Sequence, residues 1–380
     1  DPNRYHRGVN NTLPEGALGS QFLAMNKGKR SVSVDVHTEL GTAVLKKLIA
    51  GADVFVSNYR ASALTRMGLD LHELTAENPR LIVGHGNGFG PRGGDAEKAM
   101  LDGAAQARGG LASLSGPEGG TPMPPGAAVA DTAGAMQLAL ACVTALVTRG
   151  MTGRGQLVQT SSLGAQLWLQ MWELQHSALT GTPLLRAGSY HPNIPGPYGV
   201  YTTADDKHIL FVTTMTDDAW ASFWIFADKP EVILLEEWNS LGKRIGLSGS
   251  TAGVLEIRAL MDDAFGSKTI AEWETYLASE PEIIWERVRR HDDVLTDPQN
   301  LENEYIVEIE LPVTGATKTV GTLMAFSDTP TNQPGVPPPL GFHTTEIMTD
   351  LGFRLEEIES VTAHAEATRQ EMLAGYFGEE

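Results

Sequence analysis

The chain has 380 residues, of which 42% are apolar and 20% charged, so it can build about two packed domains and is not a disordered tail. Its net charge of −19 argues against binding nucleic acid or an anionic membrane through a broad basic face, but leaves room for a local basic pocket that holds an anionic ligand. A single cysteine, Cys142, forbids an intrachain disulfide and fits a reducing, cytoplasmic compartment.

In chain order, the opening DPNRYHRGVNN has no strand pattern, and the basic cluster NKGKRS follows at Asn26–Ser31. Arg30 to Val36 then reads as a strand, Thr38 to Ala52 as a helix and Asp53 to Tyr59 as a second strand. A helical stretch through ALTRMGLDLHELTAENP leads to the apolar strand RLIVGHG. Strand, helix and strand at this spacing predict a parallel α/β sheet. The run from Pro125 to Gly150 reads as a mostly buried helix with Asp131 near its start. No apolar run is expected to reach the length of a membrane span, and no signal peptide is expected.

A second segment begins after YHPNIPGPYG, with a hairpin predicted to turn at Asp205–Asp206–Lys207. Acidic helical stretches run on to about Leu301, and Tyr305 to Val320 reads as β. The proline-rich connector before Thr344 introduces a helical C-terminal segment.

Candidate chemistry is sparse. As plain structure, Asp131 is a helix N-cap, whose carboxylate takes up the first free amides. The small residues after it, Thr132, Ala133 and Gly134, leave space beside the carboxylate that a nucleophile needs and a cap does not. Lys29 and Arg30 form either an exposed basic turn or a phosphate-capturing pair. GHGNGFG departs from a dinucleotide fingerprint at Phe89, and no P-loop, G-x-S-x-G elbow or His-Glu-x-x-His is present. No metal site is expected.

Six stretches in order, NKGKRSVSVDV, ADVFVSNY, RMGLDLHELTAENPRLIVGHGNGFG, AAVADTAGA, TGRGQLVQTSSL and DTP…PPPLGFHTTEIMTDLGF, resemble the class III CoA-transferase family, the CaiB/BaiF group of formyl-CoA transferase, carnitine CoA-transferase and α-methylacyl-CoA racemase. The resemblance implies an α/β fold. It comprises a large Rossmann-like parallel-sheet domain (residues 1–195 with a return at 322–380) and a smaller α+β domain (196–321). The resemblance further implies that two chains interlock as a homodimer. It also implies a first strand and helix ahead of the opening residues, either preceding this sequence or supplied by a partner chain.

By the same resemblance Asp131 is the nucleophile of a CoA-transferase acting on acyl-CoA and a carboxylic acid, with coenzyme A as the carried group and Asp102 near the acceptor. CoA contacts carry over to Arg4, Val34, His37, Asn58, Tyr59, Arg66 and Met67, beside Lys29 and Arg30. His37 stands where formyl-CoA transferase has a lysine. The family's racemases need a histidine where this sequence has Leu101, which cannot shuttle a proton, so transfer is favoured over racemisation. A non-catalytic CoA-binding relative is the remaining alternative. The glycine run that closes over the intermediate in formyl-CoA transferase is replaced by SYHPNIPGPYG. Its prolines stiffen the segment, and Tyr190, His191 and Tyr198 could bound a larger acyl pocket.

Overall fold

The computed structural model describes residues 2–194, 196–212, 215–244, 254–333 and 335–377. Contacts divide the chain into two compact units. One holds residues Val54–Leu64 and Asp70–Val288; the other holds Asp1–Asp53, Thr65–Leu69 and Arg289–Glu380.

The larger unit contains the predicted parallel sheet. Strands β1 (Val54–Ser57), β2 (Ile82–Asn87) and β3 (Leu157–Ser161) lie in that order, with Val54 opposite Ile82 and Val83 opposite Leu157. The central strand β2 is buried from Ile82 to His85, as befits a strand flanked on both sides. Helix Val129–Thr152 packs on β2 and β3. Its approach is close: a Cβ on Gly84 would fall 2.7 Å from Cys142 Sγ. Glycine is therefore what lets Cys142 and the sheet meet.

That helix corrects two expectations, that the run is mostly buried and that no apolar run is long enough to span a membrane. By length and composition it is apolar enough to cross a membrane. Its inner side packs against the sheet and helix Ser162–Leu169, whereas Met136, Leu140, Val143, Val147 and Met151 form an exposed stripe on the outer side. Their steps of four, three, four and four residues place them on one helical face.

The same unit carries an antiparallel sheet of β4 (Gly199–Thr202), β5 (His208–Val212) and β6 (Ile284–Arg287). The predicted hairpin turns where expected, with Asp206 in the left-handed region (φ 58°) and the Thr203 amide donating to Lys207 O. Strand β6 interrupts a stretch read as helical, because IWER pairs in register with Ile209–Val212 and tertiary pairing overrides local preference. Helices Asp217–Phe226, Val254–Gly266 and Ile270–Ala278 cover an aromatic core that includes Phe211, Phe223, Phe265 and Trp273.

In the smaller unit, helix Glu39–Ala50 packs through Val44 against Met348 of helix Thr344–Asp350 and against Ile358 and Val361 of helix Leu355–Phe377. The β region is the hairpin β7 (Ile306–Leu311) and β8 (Gly315–Val320). The strand predicted over Arg30–Val36 does not form. Its backbone groups are met instead by the 341–344 turn: Ser31 N donates to His343 Nδ1 at 3.0 Å, His343 N to Ser31 O at 2.9 Å, and Ser33 N to Thr344 Oγ1 at 3.0 Å. With those groups satisfied by side chains and a turn, the segment has no need of a ladder.

Candidate active site

The carboxyl ends of β2 and β3 are where an open parallel sheet offers a crevice. Three helix N-termini meet the chain there. Leu163 N, at the start of helix Ser162–Leu169, donates to Gly88 O at 3.0 Å, just past β2. Ser162 also faces helix Val129–Thr152, where a Cβ on Gly134 would lie 3.3 Å from its hydroxyl oxygen. The third is helix Asp102–Gly109, whose first residue reaches into the second.

Asp131 is not the cap that its position suggested. Helix Val129–Thr152 starts two residues before it and has no cap from its own N-cap residue, Ala128. The cap comes from Asp102 instead: its Oδ1 accepts from Ala130 N at 2.7 Å and from Asp131 N at 3.2 Å. Its other oxygen accepts from the buried Gln106 side chain, which also donates to Ala127 O. Both oxygens of Asp102 are thus engaged in holding the helix start, and the Asp131 carboxylate is left free of the capping task.

The Asp131 side chain keeps access to solvent but is partly stripped of water. Its carboxyl is pushed above the usual carboxylate range, first by this desolvation and then by the charge of Asp102. The positive ends of helices act in the opposite sense and favour an anion there. A carboxylate with an elevated proton affinity, small neighbours and no capping duty can act as a nucleophile.

The candidate CoA contacts fall into distinct groups. His37, Arg66 and Met67 line one shallow cleft of about 420 Å³, together with Val36, Thr38, Glu39 and Thr42. This cleft lies at the start of helix Glu39–Ala50, which Thr38 caps by accepting from Gly41 N. An exposed arginine, a histidine and a helix N-terminus suit a phosphorylated ligand. Val34 packs against the apolar cluster of Val44 and Met348 and serves as core.

The remaining cations have partners of their own. Arg4 is buried, lies 3.8 Å from the Phe22 ring centroid and donates to Pro338 O at 3.0 Å. Arg30 pairs with Glu346 at 2.8 Å, and Lys29 donates to Asn26 Oδ1 at 3.0 Å. Asn58 and Tyr59 belong to the larger unit, past the end of β1. The Tyr59 carbonyl is held at 2.8 Å by Nε2 of the buried His85, whose Nδ1 faces Gln159 Nε2 at 3.3 Å.

The proline-bearing segment is pinned by aromatic contacts. The His191 ring stacks between Trp172 and Tyr198, each 5.3 Å away, and burial lowers its proton affinity against a smaller opposing effect of Glu173. The Tyr190 hydroxyl donates to Asp262 at 3.0 Å, its ring lies under the Arg258 guanidinium, and burial pushes its ionisation upward. Sequence reasoning missed Gln106, Ser162, Trp172 and His85. Of these only Gln106 had a visible signal, its i, i+4 spacing from Asp102.

With fold and site described, comparison with known proteins assigns the class. Residues 1–344 match the model of CoA-transferase family III, and the chain belongs to that family of enzymes. It is 26% identical over 336 residues to human succinyl-CoA:glutarate CoA-transferase, covering 88% of this chain and 74% of that one. It is 29% identical over 354 residues to formyl-CoA:oxalate CoA-transferase of Rhodopseudomonas palustris strain BisA53, covering 90% and 83%. Among solved structures, a CAIB/BAIF family protein from Brucella suis superposes with a TM-score of 0.76 at 26% identity, covering 89% of this chain and 86% of that chain.

Proposed function

We propose that this enzyme moves CoA from an acyl-CoA thioester to a free carboxylic acid, with Asp131 as the covalent relay. The observation that carries this reading is the released carboxylate: Asp102 does the capping, and Asp131 stands beside Gly134 with an elevated proton affinity. Ionised Asp131 attacks the thioester carbonyl; the C–S bond breaks, CoA leaves as thiolate and a mixed anhydride remains. The thiolate then attacks the aspartyl carbonyl, expelling the donor's carboxylate and leaving an aspartyl–CoA thioester. The acceptor carboxylate attacks that thioester and regenerates thiolate and an anhydride. Attack of the thiolate on the acceptor's acyl carbon releases the new acyl-CoA and frees Asp131. Every step forms an acyl–oxygen or acyl–sulfur bond as another breaks, so no redox partner is needed. Water must be kept from the anhydride, which the aromatic contacts of Tyr190, His191 and Tyr198 would favour; Pro195 between them lies outside the described residues.

Small dicarboxylates are the substrate class we favour, because relatives named for succinyl-CoA with glutarate or mesaconate align over most of this chain. The cleft of His37, Arg66 and Met67 is the proposed seat of the CoA nucleotide. Asp102 and Gln106 are positioning residues for Asp131. The working form is proposed to be a homodimer, interlocked as in the family; the exposed stripe from Met136 to Met151 supports a partner surface there.

The test is chemical trapping. The protein is incubated with succinyl-, glutaryl- and formyl-CoA, quenched with hydroxylamine and digested. A hydroxamate on the Asp131 peptide, absent in Asp131→Asn, is the expected result. Binding of CoA with no modified Asp131 for any donor would overturn the covalent route.

A further inference from the structure

The C-terminal helix Leu355–Phe377 lies beyond residue 344, where the match to the family model ends. Its apolar side is accounted for by Ile358 and Val361 in the core. Two of its polar side chains reach the far end of the sequence. His364 Nε2 lies 2.8 Å from Asp35 Oδ2, and Arg369 Nε donates to the Tyr5 hydroxyl at 3.2 Å.

Asp35 organises the turn that leads into the nucleotide cleft. Its Oδ1 accepts from His37 N at 2.9 Å, and its carbonyl accepts from Thr38 N at 3.2 Å and Thr38 Oγ1 at 2.8 Å. The turn packs so closely on the helix behind it that a Cβ on Gly41 would fall 2.0 Å from Asp35 O. These bonds set where His37 and the start of helix Glu39–Ala50 stand in the cleft. One carboxylate therefore has two duties, the His37 amide on one oxygen and His364 on the other. The two bonds together hold the carboxyl below its usual range, the His37 amide contributing most.

A contact whose histidine is half exposed contributes little to global stability. Its effect is on geometry. Without His364, Oδ2 has no protein donor among the described residues, and the carboxylate is free to rotate away from the His37 amide. We propose that His364 is a positioning residue for CoA: it fixes Asp35, Asp35 fixes the 35–38 turn, and the turn presents His37 and the helix N-terminus to the nucleotide phosphates. The inference rests on the reading that this cleft takes the CoA nucleotide.

The experiment measures CoA binding to the full chain by calorimetry, alongside steady-state kinetics with succinyl-CoA and glutarate. Wild type, His364→Ala and His364→Gln are compared, each with a thermal melt. His364→Ala is expected to weaken CoA binding and raise KM for acyl-CoA roughly five- to tenfold, the scale of one lost charge-assisted bond acting indirectly, with kcat unchanged. His364→Gln, which keeps an N–H donor, is expected to recover most of the affinity. A purely structural role would lower the melting point of both variants and reduce kcat with the folded fraction. CoA affinity of folded His364→Ala within twofold of wild type would overturn the inference alone. Failure of the wild type to bind CoA would overturn the functional reading and the inference with it.

Discussion

At the residue scale the site turns on two aspartates with divided labour. In the proposed mechanism Asp131 must be ionised to attack, yet its surroundings favour the proton, first through desolvation and then through Asp102. The sign follows. The folded state keeps this proton to higher pH than the unfolded chain, so stability is lost as pH rises from the ordinary carboxylate range through the raised value. Activity is expected to rise through the same window, because the proposed nucleophile is the carboxylate. In Asp102→Asn the Oδ1 acceptor remains for the Ala130 and Asp131 amides while the repelling charge is gone. The acid limb of its kcat profile should therefore move to lower pH, with Gln106 turning its unpartnered amide oxygen toward the new Asn Nδ2 donor. Asp102→Ala removes the cap as well and should cost about 1 kcal/mol of stability in denaturant titration. An unmoved acid limb in Asp102→Asn would show that desolvation alone sets the Asp131 proton affinity.

At the element scale, a close approach joins β2 and helix Val129–Thr152, the helix that carries Asp131. Gly84 meets Cys142 Sγ, Val56 and Leu138 there, with no room for a methyl group. Gly84→Ala is predicted to destabilise by about 1–3 kcal/mol, the usual range for overpacking. Removing the opposing sulfur in Gly84→Ala/Cys142→Ala should return part of that loss. Urea unfolding of the two variants checks this; equal stabilities would mean that the sheet, rather than the sulfur, absorbs the clash. Most elements were legible from periodicity alone, including the helix after Thr38, β1, β2, the Asp205–Lys207 hairpin and the C-terminal helices. The strand expected at Arg30–Val36 and the missed β6 share one cause. A β pattern becomes a strand only when a partner edge meets it; β6 found β5, and Arg30–Val36 found the 341–344 turn.

At the scale of the whole molecule, the prediction concerns assembly. A helix of 24 residues that leaves Met136, Leu140, Val143, Val147 and Met151 exposed on one face presents a surface that a second copy can cover. Analytical ultracentrifugation is expected to find a dimer for the wild type. Val143→Glu, which puts a charge in the middle of that face, should shift it toward monomer and lower activity in parallel. A wild-type monomer, or a Val143→Glu dimer as tight as wild type, would remove this face from the interface. The sequence by itself determined the parallel α/β pattern through local periodicity and the family through the resemblance of short motifs in a set order, and it nominated Asp131, because these are properties of the chain alone. The tertiary structure decided which acid caps the helix, which cations are already partnered and which side chains share the cleft of His37, Arg66 and Met67. Asp102 with Ala130, Arg30 with Glu346 and His364 with Asp35 are 28, 316 and 329 residues apart. Pairings of that kind depend on where folding brings side chains together, and no local pattern encodes the meeting.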